Sequence, residues 1–109
     1  MIGDTPYFAQ IIDGIDPKEL KPLADAKRSE LGSAVITLVA VNPSANTVVQ
    51  AATADLAGTY DSSRLIRIAT EAMGGKGGGG RADMAQGGGP AGRGAAEKAI
   101  EAVRQALEG

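Results

Sequence analysis

The run Ala34-Val35-Ile36-Thr37-Leu38-Val39-Ala40-Val41 holds one polar residue, Thr37, in eight positions. A strand with one face in water alternates apolar and polar side chains, so a nearly unbroken apolar run marks a central strand covered on both faces. Downstream, Asn42-Pro43-Ser44-Ala45-Asn46 has turn composition, and Thr47 to Thr53 reads as the returning strand of a hairpin. Upstream, Thr5 to Asp13 is enriched in β-branched and aromatic residues and reads as another strand, ended by Gly14. Between the two, Asp16-Pro17-Lys18-Glu19 has the pattern of a helix start, with Pro22 as the point from which a regular helix runs. Leu20, Leu23, Ala24, Lys27 and Leu31 fall on one helical face, and Gly32 is placed to end it. Strand, helix and strand then make a βαβ unit with an expected right-handed crossover.

Two further helices complete the chain. Asp61-Ser62-Ser63 supplies caps for one, whose buried stripe is Leu65, Ile68, Ala69, Ala72 and Met73 and which Gly74 stops. Ala95 to Leu107 forms the other, with Ala96, Ala99, Ile100, Val103 and Leu107 inward. The expected fold is therefore α/β: a single small domain over residues 1–109, a mixed β-sheet with a βαβ unit and a hairpin, and three main helices packed on the sheet.

Composition narrows the chemistry. The 109 residues contain no Cys and no His, which removes disulfides, thiolate nucleophiles, the usual general base and the commonest metal ligand. Carboxylate pairs are scarce: Asp13 and Asp16 flank a turn, Asp55 and Asp61 a loop, as capping or solvated groups do. No catalytic residue and no metal site is expected. No apolar run approaches the roughly 20 residues of a membrane span and no signal pattern opens the chain, so a soluble cytoplasmic protein is the expectation. The net charge is −2, unevenly spread. Between Asp61 and Gly94 the basic residues Arg64, Arg67, Lys76, Arg81 and Arg93 outnumber the acidic Asp61, Glu71 and Asp83, a mild positive bias suited to a local contact with a polyanion.

That bias coincides with Gly74-Gly75-Lys76-Gly77-Gly78-Gly79-Gly80-Arg81-Ala82-Asp83-Met84-Ala85-Gln86-Gly87-Gly88-Gly89. Glycine loses more backbone freedom on folding than any other residue, so such a run is either left disordered or used where main chain must come very close to something. A flexible linker would be rich in serine, and this stretch has none. The expectation is a loop that offers main-chain N–H groups and two cations to a phosphate-bearing ligand. Gly75, Gly77 and Gly80 satisfy the dinucleotide-binding glycine spacing trivially, but the run follows a helix rather than a strand. The phosphate-cradling loop of nucleotide triphosphatases fails as well, since Lys76 is followed by Gly77 and the upstream glycine position holds Thr70. Arg64 and Arg67 sit one helical turn apart on the helix that delivers the loop. Gln86 could hydrogen-bond a base edge or ribose, and Met84 reads as a packing anchor.

The stretch Gly74 to Gly88, with its Asp83-Met84-Ala85-Gln86 island between glycine clusters, resembles the glycine-rich signature of the C-terminal domain of bacterial alanyl-tRNA synthetases, a member of the DHH-associated family. The similarity extends to the helix Glu19-Leu20-Lys21-Pro22-Leu23-Ala24-Asp25 and the apolar strand after it. It implies a fragment of a longer enzyme that attaches alanine to tRNA with ATP and edits mischarged tRNA. ATP, magnesium and zinc would serve that enzyme's other domains, and this fragment would need no cofactor. The implied partners are tRNA, the other domains of the same synthetase and, in some members, a second copy in a homodimer. Carried to this chain, the resemblance points to RNA contacts from Lys76, Gly77, Gly78, Gly79, Gly80 and Arg81, to which the local reading adds Gln86, Arg64 and Arg67. Two alternatives stand beside it: a dimerisation module of the parent synthetase, and the substrate-binding lobe of a DHH-family phosphoesterase. In the latter a histidine accompanies the glycine motif, and Arg81 stands where it is sought.

Overall fold

The computed structural model describes residues 6–75 and 78–108. Strand β1 (Tyr7–Asp13) leads through a 3-10 turn (Pro17–Glu19) into helix α1 (Leu20–Leu31), and the chain returns as β2 (Val35–Val41). Pro22 falls in the first turn of α1, where a missing N–H breaks no helical hydrogen bond. Asp16 caps the start by accepting from the Lys18 N–H at 2.9 Å, and Gly32 closes the end at φ 77°, donating to the Arg28 carbonyl. β1 and β2 pair in parallel, as a βαβ unit requires.

β2 then turns into β3 (Asn46–Ala52) in an antiparallel hairpin. A single short helical turn, α2 (Ala54–Ala57), precedes α3 (Ser62–Met73). The Asp61 carboxylate caps α3 through the Ser63 N–H, and Gly74 ends it in the left-handed conformation at φ 85°. The glycine-rich segment follows as two strands, β4 (Gly78–Gly80) and β5 (Met84–Gly89), and helix α4 (Arg93–Glu108) closes the described chain. The sheet is five-stranded and mixed, ordered β1-β2-β3-β5-β4.

The apolar run of β2 feeds both faces of this sheet. Val35 and Val39 point into a core with Val48, Leu65, Ile66, Ala69, Met73, Ala96, Ala99 and Val103, beneath α3 and α4. Ile36, Leu38 and Ala40 point the other way, to Val49, Ala51, Leu20 and Ala24 beneath α1. The molecule is thus a three-layer sandwich with one helix on one side and two on the other. Helix α1 makes a narrower contact than its pattern predicts. Leu20 and Ala24 are fully buried, but Leu23 and Leu31 remain 36% and 43% exposed. The two buried residues are an i, i+4 pair, one above the other on the sheet-facing side of α1, and its flanks stay wet.

The glycine stretch departs from the expected loop. Where it is described it is a hairpin that completes the sheet, with β5 antiparallel to β3 from Asn46↔Gly89 to Ala51↔Met84, and β4 on its outer edge. Glycine is ordinarily depleted in strands, and here its use is steric. A Cβ on Gly87 would sit 2.6 Å from Thr70 Cγ2 and 3.3 Å from Ile66 Cγ1, so α3 can rest on β5 only because the side chain is absent.

Candidate nucleic-acid interface

The turn joining β4 to β5, residues 81–83, is fixed by main-chain hydrogen bonds from three directions. The Ser62 N–H at the start of α3 donates to the Ala82 carbonyl at 2.9 Å, and the Ala52 N–H at the end of β3 donates to the Asp83 carbonyl at 3.0 Å. Arg81 closes the hairpin by donating its N–H to the Met84 carbonyl at 2.8 Å. Arg81 is therefore a flexible side chain on a rigid base, and that side chain is 84% exposed.

Gly79 pairs with Gln86 across the ladder. Directly opposed residues share a face of the sheet, so the half-buried Gln86 amide stands beside bare main chain. A Cβ on Gly79 would meet no atom within 4 Å, so this glycine is not required by packing and leaves open backbone. Its neighbours are different. Cβ atoms on Gly78 and Gly80 would approach main-chain oxygens at 2.4 and 2.5 Å, so those two serve the hairpin itself. The face shared by Gly79 and Gln86 also carries Val49 and Met84, which pack toward α1.

The remaining expected contacts divide. Arg64 and Arg67 are exposed on α3, which covers the opposite face of the sheet, so they do not join Gly79 and Gln86. Arg64, in the first turn beside the Ser62–Ala82 hydrogen bond, stays next to the hairpin tip and lines a cavity of about 220 Å³ with Thr59, Tyr60, Asp61, Leu65, Ile68 and Ala106. Lys76 and Gly77 lie outside the described residues. Among the described residues no group of three or more His, Cys, Asp or Glu side chains could hold a metal ion, and no helix is long and apolar enough to cross a membrane.

The charges around the tip include one residue, Arg28, that the sequence reading did not single out. Asp83 is shared by two arginines: Arg81 Nε lies 3.7 Å from Oδ1, and Arg28 Nη1, from α1, lies 3.5 Å from Oδ2. Arg28 also donates to the Asp83 main-chain carbonyl at 3.3 Å. Fifty-five residues separate Arg28 from Asp83, and no local pattern joins them. On the α3 side, the Ser63 hydroxyl and amide hold the Asp61 carboxyl below the usual carboxylate range, so it is ionised beside Arg64 at neutral pH.

This fold and this hairpin have a family. Residues 4–109 match the family described as the DHHA1 domain, and the chain belongs to it. Its relatives are more particular. It is 48% identical over 106 residues to the alanine–tRNA ligase of Sphingopyxis alaskensis, and 44% identical over 109 residues to that of Bradyrhizobium diazoefficiens. These alignments cover 97% and 99% of the chain but 12% of each relative, so the chain spans about an eighth of their length. Among solved structures, the C-Ala domain of Aquifex aeolicus alanyl-tRNA synthetase matches with a TM-score of 0.91 and 28% identity, covering 100% of this chain and 96% of that one.

Proposed function

We propose that this chain is the C-terminal, non-catalytic module of an alanine–tRNA ligase and that it holds tRNA through the β4–β5 hairpin. The observation that carries the reading is Arg81: a nearly fully exposed guanidinium on a turn immobilised by three elements, two residues from bare main chain at Gly79. A cation on a rigid base loses little freedom on meeting a phosphate, and main chain without side chains admits a sugar-phosphate backbone closely. Gln86 adds one donor and one acceptor on the same face, Arg64 a second cation at the tip, and Arg67 and Lys76 further basic groups on the same part of the chain. Gly77, Gly78 and Gly80 contribute main chain only. The family membership and the alanine–tRNA ligase relatives support tRNA as the ligand. In the parent enzyme the module would work in the cytoplasm, tethered to catalytic domains that use ATP, magnesium and zinc, where tethering replaces intrinsic affinity.

Two substitutions test the assignment by fluorescence anisotropy with a labelled tRNA transcript. Arg81→Ala should weaken binding about tenfold, the size of one charge-assisted contact, and should flatten the salt dependence by about one unit of logarithmic slope. Gly79→Val should leave the thermal unfolding midpoint nearly unchanged, because nothing lies within 4 Å of its Cβ, yet weaken tRNA binding by obstructing the open backbone. Unchanged affinity in both folded variants would rule out the hairpin as the contact.

A further inference from the structure

We propose that Arg28, on a different element from every expected contact, is the positioning residue of this hairpin. The inference rests on the RNA reading above. Asp83 lies beside Arg81 and is the obvious competitor for the charge that a phosphate would need. Two observations show how that competition is held in check. Arg81 Nε is 3.7 Å from the carboxylate, beyond hydrogen-bonding distance, and is 84% exposed, so the attraction is largely screened by solvent. Arg28 is 23% exposed and meets Asp83 at both the carboxylate, at 3.5 Å, and the main-chain carbonyl, at 3.3 Å. It is itself oriented by an ion pair with Asp25 one turn earlier on α1. Arg28 thus draws the Asp83 charge toward the body of the domain and fixes the turn by its main chain. Arg81 is left pointing outward, with its guanidinium available.

Removing Arg28 should turn Asp83 against the site. With that guanidinium gone, the remaining cation beside the carboxylate among the described residues is Arg81, and a phosphate would have to displace it. In tRNA-binding titrations of the 109-residue chain, Arg28→Gln should weaken affinity about fivefold and lower the salt slope by about one, mimicking Arg81→Ala without touching RNA. Adding Arg28→Gln to Arg81→Ala should cost nothing further, within about twofold, because both act on the same contact. Asp83→Asn should rescue Arg28→Gln, since the competing charge is gone and the turn carbonyl keeps its bond from Ala52. Arg28→Lys, which retains the charge, should keep most of the affinity and guards against misfolding of the glutamine variant. If Arg28→Gln and Arg81→Ala add, Arg28 is itself a phosphate contact and the positioning role is wrong. If Arg28→Gln lowers the melting temperature but not the affinity, the pair is structural and the role is again wrong. If Arg81→Ala and Gly79→Val both leave affinity unchanged, the RNA reading falls first and this inference with it; unchanged affinity in Arg81→Ala alone, or a loss confined to Arg81→Ala, overturns the inference alone.

Discussion

Gly78→Ala is expected to destabilise the domain by about 3 kcal/mol or more, whereas Gly79→Ala, one residue on, should change stability by less than about 0.5 kcal/mol. The difference is geometric. A Cβ on Gly78 would lie 2.4 Å from the Gln86 carbonyl oxygen and 2.7 Å from Gly87 Cα, both main-chain atoms of β5. A flexible side chain could move aside, but these atoms cannot without disturbing β5, which is hydrogen-bonded to β3 along six residue pairs. At Gly79 the same methyl enters open space. For a domain of this size about 3 kcal/mol corresponds to a fall of about 15 °C in the unfolding midpoint. Urea titrations of the two variants measure it, and equal stabilities would mean that β4 does not lie on β5 in this register.

The second large effect is alkaline. Burial pushes the Tyr7 phenol up to about 12, with the Glu101 carboxylate adding in the same direction. Because the folded-state value is raised above the unfolded value of about 10, the stability tied to the neutral phenol is complete below pH 10. It is lost as pH rises from 10 through 12, by about 2–3 kcal/mol in all. The phenol donates to Thr37 Oγ1 at 2.9 Å, and Thr37 donates to Gln50 Oε1 at 2.6 Å within the core, so the charged form would also lose its place in a buried chain of hydrogen bonds. Tyr7→Phe should cost about 1 kcal/mol at pH 7, the worth of one hydrogen bond, and should be less sensitive than the parent between pH 10 and 12. Parallel loss of stability in both proteins over that range would remove Tyr7 as the cause. The difference between the two curves is what matters.

Much of this fold is legible along the chain because its side chains report their surroundings. The unbroken run of β2 shows both faces covered, and the stripe through Leu65, Ala69 and Met73 shows the inward side of α3. Glycine carries no such report. Nothing in Gly78-Gly79-Gly80 distinguishes strand from loop, because periodicity is a property of side chains and the fit of β4 on β5 depends on their absence. The same holds for Ile66 and Thr70, fully buried against β5 yet outside the expected stripe. Their burial depends on how close a bare strand lets the helix come. Arg81 and Gly79 enter through the resemblance and Gln86 through its polar side chain, but the shared face of Gly79 and Gln86 comes from their pairing across the ladder, and the Arg28–Asp83 contact spans too much chain for any local pattern to carry.

The clasp between the first strand and the last helix has a consequence for synthesis. α4 lies over β1 and β2, Arg93 reaches Asp13 at 3.1 Å, and Tyr7 stands 3.5 Å from the Ile100 carbonyl. A third of the buried core on that side is supplied by Ala96, Ala99, Val103 and Leu107. A nascent chain lacking residues 93–108 would present Val35 and Val39 of β2 to solvent. The ribosome must therefore deliver the whole segment before the domain can close, and until then the exposed sheet is a target for holding chaperones.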